Sequence, residues 1–142
     1  MSTPDLSKAH CPSFFKTRKP KAKKKSAAEK REGMSAKHIA LIQRLPCCVC
    51  QIDPGGTAHH LKLGVESRGL GMRAPDKCTV PLCGDCHLHG IERAGSRNEW
   101  DWFSKRGINC LDLAQTLWDA TGDLDAMRER LRDHLRDQQE KR

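Results

Sequence analysis

From Ser35 to Pro46 the apolar positions recur at steps that suit a period of 3.6, with Met34, His38, Leu41, Ile42 and Leu45 on one face. The pattern predicts a helix that Pro46 ends. His38, lying on that apolar face, reads as a packed histidine rather than a ligand. The period then breaks. In CCVCQIDPGGTAHHLKLG the run Asp53-Pro54-Gly55-Gly56 is a turn signal between two short segments. It predicts a β-hairpin with Thr57 to Leu61 as its second arm. Residues 64–71 carry three glycines and read as a loop. Cys78 to Leu82 is a short apolar, strand-like segment.

The last third is helical by pattern. Ser96-Arg97-Asn98-Glu99 has the capping-box form S-x-x-E. It predicts a helix with Trp100 and Phe103 on one face and Gly107 at its end. A second helix follows from about Leu111 to Thr121, with Leu111, Ala114, Leu117 and Trp118 as its stripe and Gly122 closing it. Asp123 then caps a final helix whose stripe is Leu124, Met127, Leu131 and Leu135. Mixed charges on its other faces read as a solvated surface.

Length and charge sharpen this outline. The chain has 142 residues, which suits one compact domain with tails. No apolar run is long enough to span a membrane, and the N-terminus has no apolar signal core, so a cytoplasmic protein is expected. The net charge is +8, and residues 1–33 hold ten Lys/Arg against three acids. That segment, with Lys23, Lys24 and Lys25 at its centre, is expected to be a disordered basic tail that binds phosphates, or else a solubilising tail. The expected organisation is this tail, a domain over residues 34–107, and a helical extension over residues 108–142.

Eight cysteines change the picture further. Without an export signal, paired Cys-x-x-Cys units point to zinc rather than to disulfides. Cys47-x-x-Cys50 and Cys83-x-x-Cys86 are two such hooks, 32 residues apart. Each hook can supply one edge of a tetrahedron of thiolates, so the four predict a structural zinc site. Cys48 breaks that spacing, and Cys11, Cys78 and Cys110 read as unpaired thiols. A domain with 4% aromatic residues has a limited core, and a metal can supply folding free energy.

Four histidines stand close to the hooks: His59, His60, His87 and His89. Imidazole binds divalent metals and acts as a base near neutral pH. Phosphodiester hydrolysis needs both functions, since charge on the phosphate must be neutralised and a water activated. The arrangement of Cys-x-x-Cys, Ala58-His59-His60 and Val80-Pro81-Leu82-Cys83-Gly84-Asp85-Cys86-His87 resembles the HNH endonucleases of the ββα-metal fold. It is similar to phage and prophage members that include RecA-dependent recombination nucleases. The resemblance covers about residues 46–107. It implies a small α+β protein, with an HNH core held by structural zinc and flanked by helices. His60 would be the general base, and His59 and His87 ligands of a catalytic divalent metal such as Mg²⁺ or Mn²⁺. The products would carry 5′-phosphate and 3′-hydroxyl ends.

The chain departs from that family at three points. The middle Asn falls on Cys78, leaving Asp76 or Cys78 for its role. The frequent H-x-x-x-H ligand spacing is replaced by His87-x-His89, which makes His89 a candidate ligand if the helix is irregular and Glu92 a lesser one. His59 and His60 are adjacent, so a regular strand would send them to opposite faces. Lys62, Arg68, Arg73 and Lys77 are candidate DNA contacts in or beside the glycine-rich loop. Three functions remain open. One is a metal-dependent DNA endonuclease or nickase of phage DNA processing or recombination, for which the resemblance implies a RecA-like filament as partner. The others are a non-catalytic zinc module that binds DNA, and a protein-interaction module.

Overall fold

A computed structural model describes residues 33–62 and 74–141. The basic tail, Arg68 and Arg73 lie outside the described residues. The elements run α1 (Ala36–Ile42), β1 (Gly56–His60), β2 (Thr79–Cys83), a π-helical turn (Asp85–Ile91) that passes into α2 (Glu92–Ala94), α3 (Glu99–Ser104), α4 (Cys110–Asp119) and α5 (Leu124–Glu140). Short 3₁₀ turns precede β2 at Asp76–Cys78 and α3 at Ser96–Asn98. The result is a small α+β architecture with one two-stranded sheet among the described residues.

The sheet differs from the predicted hairpin. β1 pairs antiparallel with β2, from Gly56 opposite Cys83 to His60 opposite Thr79. The segment before Asp53 forms no strand. It curls into a knuckle in which Cys47 N–H donates to Ile52 O at 2.9 Å and Gln51 N–H to Cys47 O at 3.0 Å. Gln51 takes a φ of 64°, the left-handed step that closes this turn. Two thiols presented on one turn and the strand partner 23 residues further on explain why local turn chemistry misread the pairing.

The knuckle docks on the sheet through β2. Pro81 has no N–H, but its carbonyl on the outer edge accepts from Cys48 N–H at 3.0 Å. Gly55 passes close to the same strand: a Cβ there would stand 3.0 Å from Leu82 O and 3.2 Å from Cys47 N. All five residues of β2 are buried.

Around this sheet one core gathers every helix. Ile42 of α1, Leu61, Val80 and Leu82 beside the strands, Phe103 of α3, Leu113 and Leu117 of α4, and Met127 and Leu131 of α5 belong to one cluster. Fully burying a side chain of this size stabilises the fold by about 1.5–3 kcal/mol. The helices after residue 107 therefore share the core of the preceding segment. Asn109 caps α4 through Asp112 N–H and Asp123 caps α5 through Ala126 N–H. Gly107 and Gly122 take φ values of 71° and 110° after their helices.

Helix α3 departs from its pattern. Ser96 makes no capping bond, and Glu99 does not reach back to it. Trp100 is exposed, while Trp102 and Phe103 turn inward with Glu99. No helix among the described residues is long and apolar enough to cross a membrane.

Candidate functional site

Two clusters of metal-binding side chains occur among the described residues. The first is Cys47, Cys50, Cys83 and Cys86, whose sulfurs all lie within 4.8 Å of one another. The knuckle supplies the first pair; the end of β2 and the start of the π turn supply the second. Cys50 Sγ stands 3.5 Å from Cys83 Sγ, and Cys86 N–H donates to Cys83 Sγ at 3.4 Å. Four thiolates about 2.3 Å from one ion would be separated by about 3.8 Å, so these residues fit zinc. The charges point the same way. Burial pushes the Cys47 thiol up, but backbone N–H groups around it outweigh that and bring it down to about 7. Burial and the neighbouring thiols push Cys86 well up. Cys47 is thus favoured as a thiolate while Cys50 and Cys86 resist ionisation, and a divalent cation would remove that conflict. Cys48 is fully packed, and burial raises its thiol. Cys78 and Cys110 stand outside the cluster.

The second cluster is His59, His87 and Glu92, again with one donor atom each within 4.8 Å. Glu92 Oε1 lies 3.8 Å from His59 Nδ1 and 3.5 Å from His87 Nε2. The two imidazole rings meet edge to face at 5.1 Å. His59 projects from the penultimate position of β1, and His87 directly follows the last cysteine. Glu92 joins them because the helix is irregular there. On an α-helix, residues five apart point about 140° away from each other. Here Glu92 N–H donates to His87 O, a step of five residues that stacks Glu92 one turn above His87. The wide turn is packed tightly: a Cβ on Gly90 would stand 2.6 Å from Trp102 Cζ2.

This corrects two ligand expectations. Glu92, ranked behind His89 from the sequence, is the residue brought to His59 and His87. His89 is exposed and outside the cluster. The set of two imidazoles and one carboxylate fits a borderline or hard divalent ion and leaves coordination positions open for water and substrate. Burial, with the neighbouring His59, lowers the basicity of His87 against the opposing pull of Glu92. The Lys62 ammonium, 3.0 Å from Glu92 Oε2, holds that carboxyl below its ordinary range.

His60 does not join this cluster. It is half-exposed on the opposite face of β1, its Nε2 2.9 Å from Asp76 Oδ1. Asp76 is buried, and its other oxygen accepts Ser35 N–H at 2.9 Å. Of the two candidates for the missing Asn, Asp76 therefore makes the contact. Lys77 neighbours it on the 3₁₀ turn. His38 is packed as expected, edge-on to Trp118 at 4.9 Å with Nδ1 2.6 Å from Thr121 Oγ1.

Sequence reasoning missed Glu99. It is 1% exposed, and its Oε1 lies 2.7 Å from His59 Nε2. Its second oxygen accepts Lys62 N–H at 2.7 Å. The one available signal was a Glu beside two tryptophans, and the capping-box pattern supplied a competing explanation.

The fold and its clusters thus define a small α+β domain with a four-cysteine set beside a His-His-Glu set. Comparison with known families places it further: the chain belongs to the family described as Protein of unknown function (DUF968), which matches residues 10–121. No curated protein and no solved structure matches the chain.

Proposed function

We propose that this protein is a metal-dependent endonuclease or nickase that hydrolyses phosphodiester bonds in DNA, with the HNH-type core its sequence resembles. The observation that carries the reading is the convergence of His59, His87 and Glu92 immediately beside a cysteine set that already has four ligands of its own. A divalent ion held by the three residues would neutralise charge on the scissile phosphate.

The chain's own groups supply the rest. An ionised carboxylate only accepts hydrogen bonds, so Asp76 holds the Nε2–H of His60 and leaves Nδ1 free as the base. Nδ1 takes a proton from the attacking water as its oxygen bonds to phosphorus, the bond from phosphorus to the 3′ oxygen breaks, and that oxygen takes a proton from solvent. The products are a 5′-phosphate and a 3′-hydroxyl. Lys62, Lys77 and the basic N-terminal segment are assigned to phosphate contacts. The phage-type resemblance adds a recombinase filament of the RecA kind as a partner.

The test is plasmid nicking with Mg²⁺, Mn²⁺ or Zn²⁺, with and without such a filament, for the wild-type protein and His87→Ala. Nicking by the wild type alone supports the reading. A second reading, a zinc module that binds DNA without cutting it, draws on the Lys62–Glu92 pair, in which an ammonium already balances the carboxylate. It predicts salt-sensitive DNA binding with no cleavage under any of these conditions.

A further inference from the structure

Glu99 sits at the first position of α3 and is nearly inaccessible, at 1% exposure. A buried carboxylate is unfavourable unless its oxygens are bonded. One oxygen accepts the backbone N–H of Lys62, just past the end of β1, at 2.7 Å. The other faces His59 Nε2 at 2.7 Å. The opposite edge of the same imidazole, at Nδ1, looks toward Glu92 at 3.8 Å. We propose that Glu99 is a positioning residue: it locks His59 in the tautomer with its proton on Nε2, so that the Nδ1 lone pair is presented to Glu92 and His87 as a preformed metal ligand.

The chemistry follows from the two bonds. An ionised carboxylate offers acceptors alone, so Lys62 N–H and the ring Nε2 of His59 donate to it. A carboxylate behind a ligating histidine fixes the ring and raises its donor strength; losing such a partner weakens metal binding 10–100-fold. Glu99 also ties this ring to the chain beyond β1, because Lys62 bonds Glu99 through its backbone and Glu92 through its ammonium, at 3.0 Å. The effect on metal affinity rests on the reading of His59 as a ligand; the tautomer does not.

The experiment compares the zinc-loaded, full-length wild type with Glu99→Gln and Glu99→Asp. Long-range ¹H–¹⁵N correlation spectra of the histidine rings report the tautomer, and calorimetric titration with Mn²⁺ reports affinity at the second site. Wild-type His59 is expected to show a protonated Nε2 and a bare Nδ1. Glutamine has a single acceptor. With that oxygen on Lys62 N–H, its amide donates to His59 Nε2 and drives the proton to Nδ1. The expected result is a switched tautomer and Mn²⁺ affinity lowered 10–100-fold, with partial recovery of both in Glu99→Asp. If Glu99→Gln does not fold, the wild-type spectrum and Glu99→Asp carry the test. A wild-type His59 protonated on Nδ1, or a Gln variant with an unchanged tautomer and an affinity within twofold of wild type, overturns the proposal. If the tautomer behaves as expected but no Mn²⁺ binds the wild type, the metal reading of the site fails and the positioning of His59 by Glu99 stands.

Discussion

His59 and His60 are neighbours in the chain, yet each is held by a different carboxylate on a different face of β1: His59 by Glu99 at 2.7 Å and His60 by Asp76 at 2.9 Å. The alternation of the strand sends the two rings to different faces. On the proposed reading of His59 as ligand and His60 as base, two residues anchored separately can be lost separately. His60→Ala is expected to lower plasmid nicking 10²–10⁴-fold, in the range of a general base, while leaving Mn²⁺ affinity unchanged. Asp76→Asn is expected to do the same more mildly, by about tenfold. Nicking rates and Mn²⁺ titrations on the same preparations check both outcomes.

The wide turn that aligns His87 with Glu92 depends on Gly90. A methyl group there would meet Trp102 Cζ2 at 2.6 Å. The indole cannot easily retreat, because Arg106 lies 3.8 Å above its ring and Phe103 meets it edge-on at 5.0 Å. Gly90→Ala is expected to destabilise the fold by about 1–3 kcal/mol, the usual cost of overpacking. Urea unfolding should show a lower midpoint with an unchanged slope. Mn²⁺ affinity should fall as well, since the shift acts directly on His87.

The cysteine set joins the knuckle at Cys47 and Cys50 to the end of β2 and the turn after it. Neighbouring thiols push Cys50 up and burial pushes Cys86 up, while backbone N–H groups bring Cys47 down, so a bound ion would stabilise the set and with it the fold. Stripping the ion with a thiol-reactive mercurial and a chelator is expected to abolish cooperative thermal unfolding. Cys83→Ser should lower the midpoint sharply, as for other domains in which metal binding is coupled to folding. Scanning calorimetry with elemental analysis measures both.

His38 predicts the acid limb of stability. Burial lowers its pKa from 6.5 to about 4, against the opposing pull of Asp76 and with the help of nearby His60. The folded state therefore favours the neutral ring. Its stabilising contribution is fully present above pH 6.5 and is lost as the pH falls toward 4. The full loss is on the order of 3 kcal/mol. Burial of His134 adds a change of the same sign, opposed by Asp112. His38→Gln is expected to be less stable at neutral pH, because Thr121 loses its bond to the ring, and to show a flatter profile between pH 6.5 and 4. Chemical denaturation across that range measures the slope.

Much of this arrangement was legible in the sequence. The two cysteine hooks have a spacing that suits a shared ion, and the structure brings them together. The stripes of α1 and α5 were readable because the apolar positions keep a period of 3.6, whereas that of α4 was read only in part, since Cys110 and Leu113 are buried with Ala114 and Leu117 while Leu111 and Trp118 are partly exposed. The β-hairpin was not readable, because the turn at Asp53–Gly56 leads into β1 while its partner comes from beyond the glycine-rich segment. Glu92 and Glu99 were the harder residues. The first reaches its cluster through a five-residue step that no α-helical pattern anticipates. The second was disguised as a cap, and burial beside His59 is a tertiary property.

The account rests on a division of labour between two donor sets, thiolates for an architectural ion and His59, His87 and Glu92 for a working one. The most direct measurement counts tightly held zinc and exchangeable Mn²⁺ in the wild type, His87→Ala and Glu92→Gln, with absorption-edge spectroscopy on the zinc. The account predicts one zinc with four sulfur ligands in all three proteins, and one Mn²⁺ site that the wild type has and both variants lose along with nicking. A zinc with an imidazole among its ligands, or Mn²⁺ binding that survives both substitutions, would contradict it.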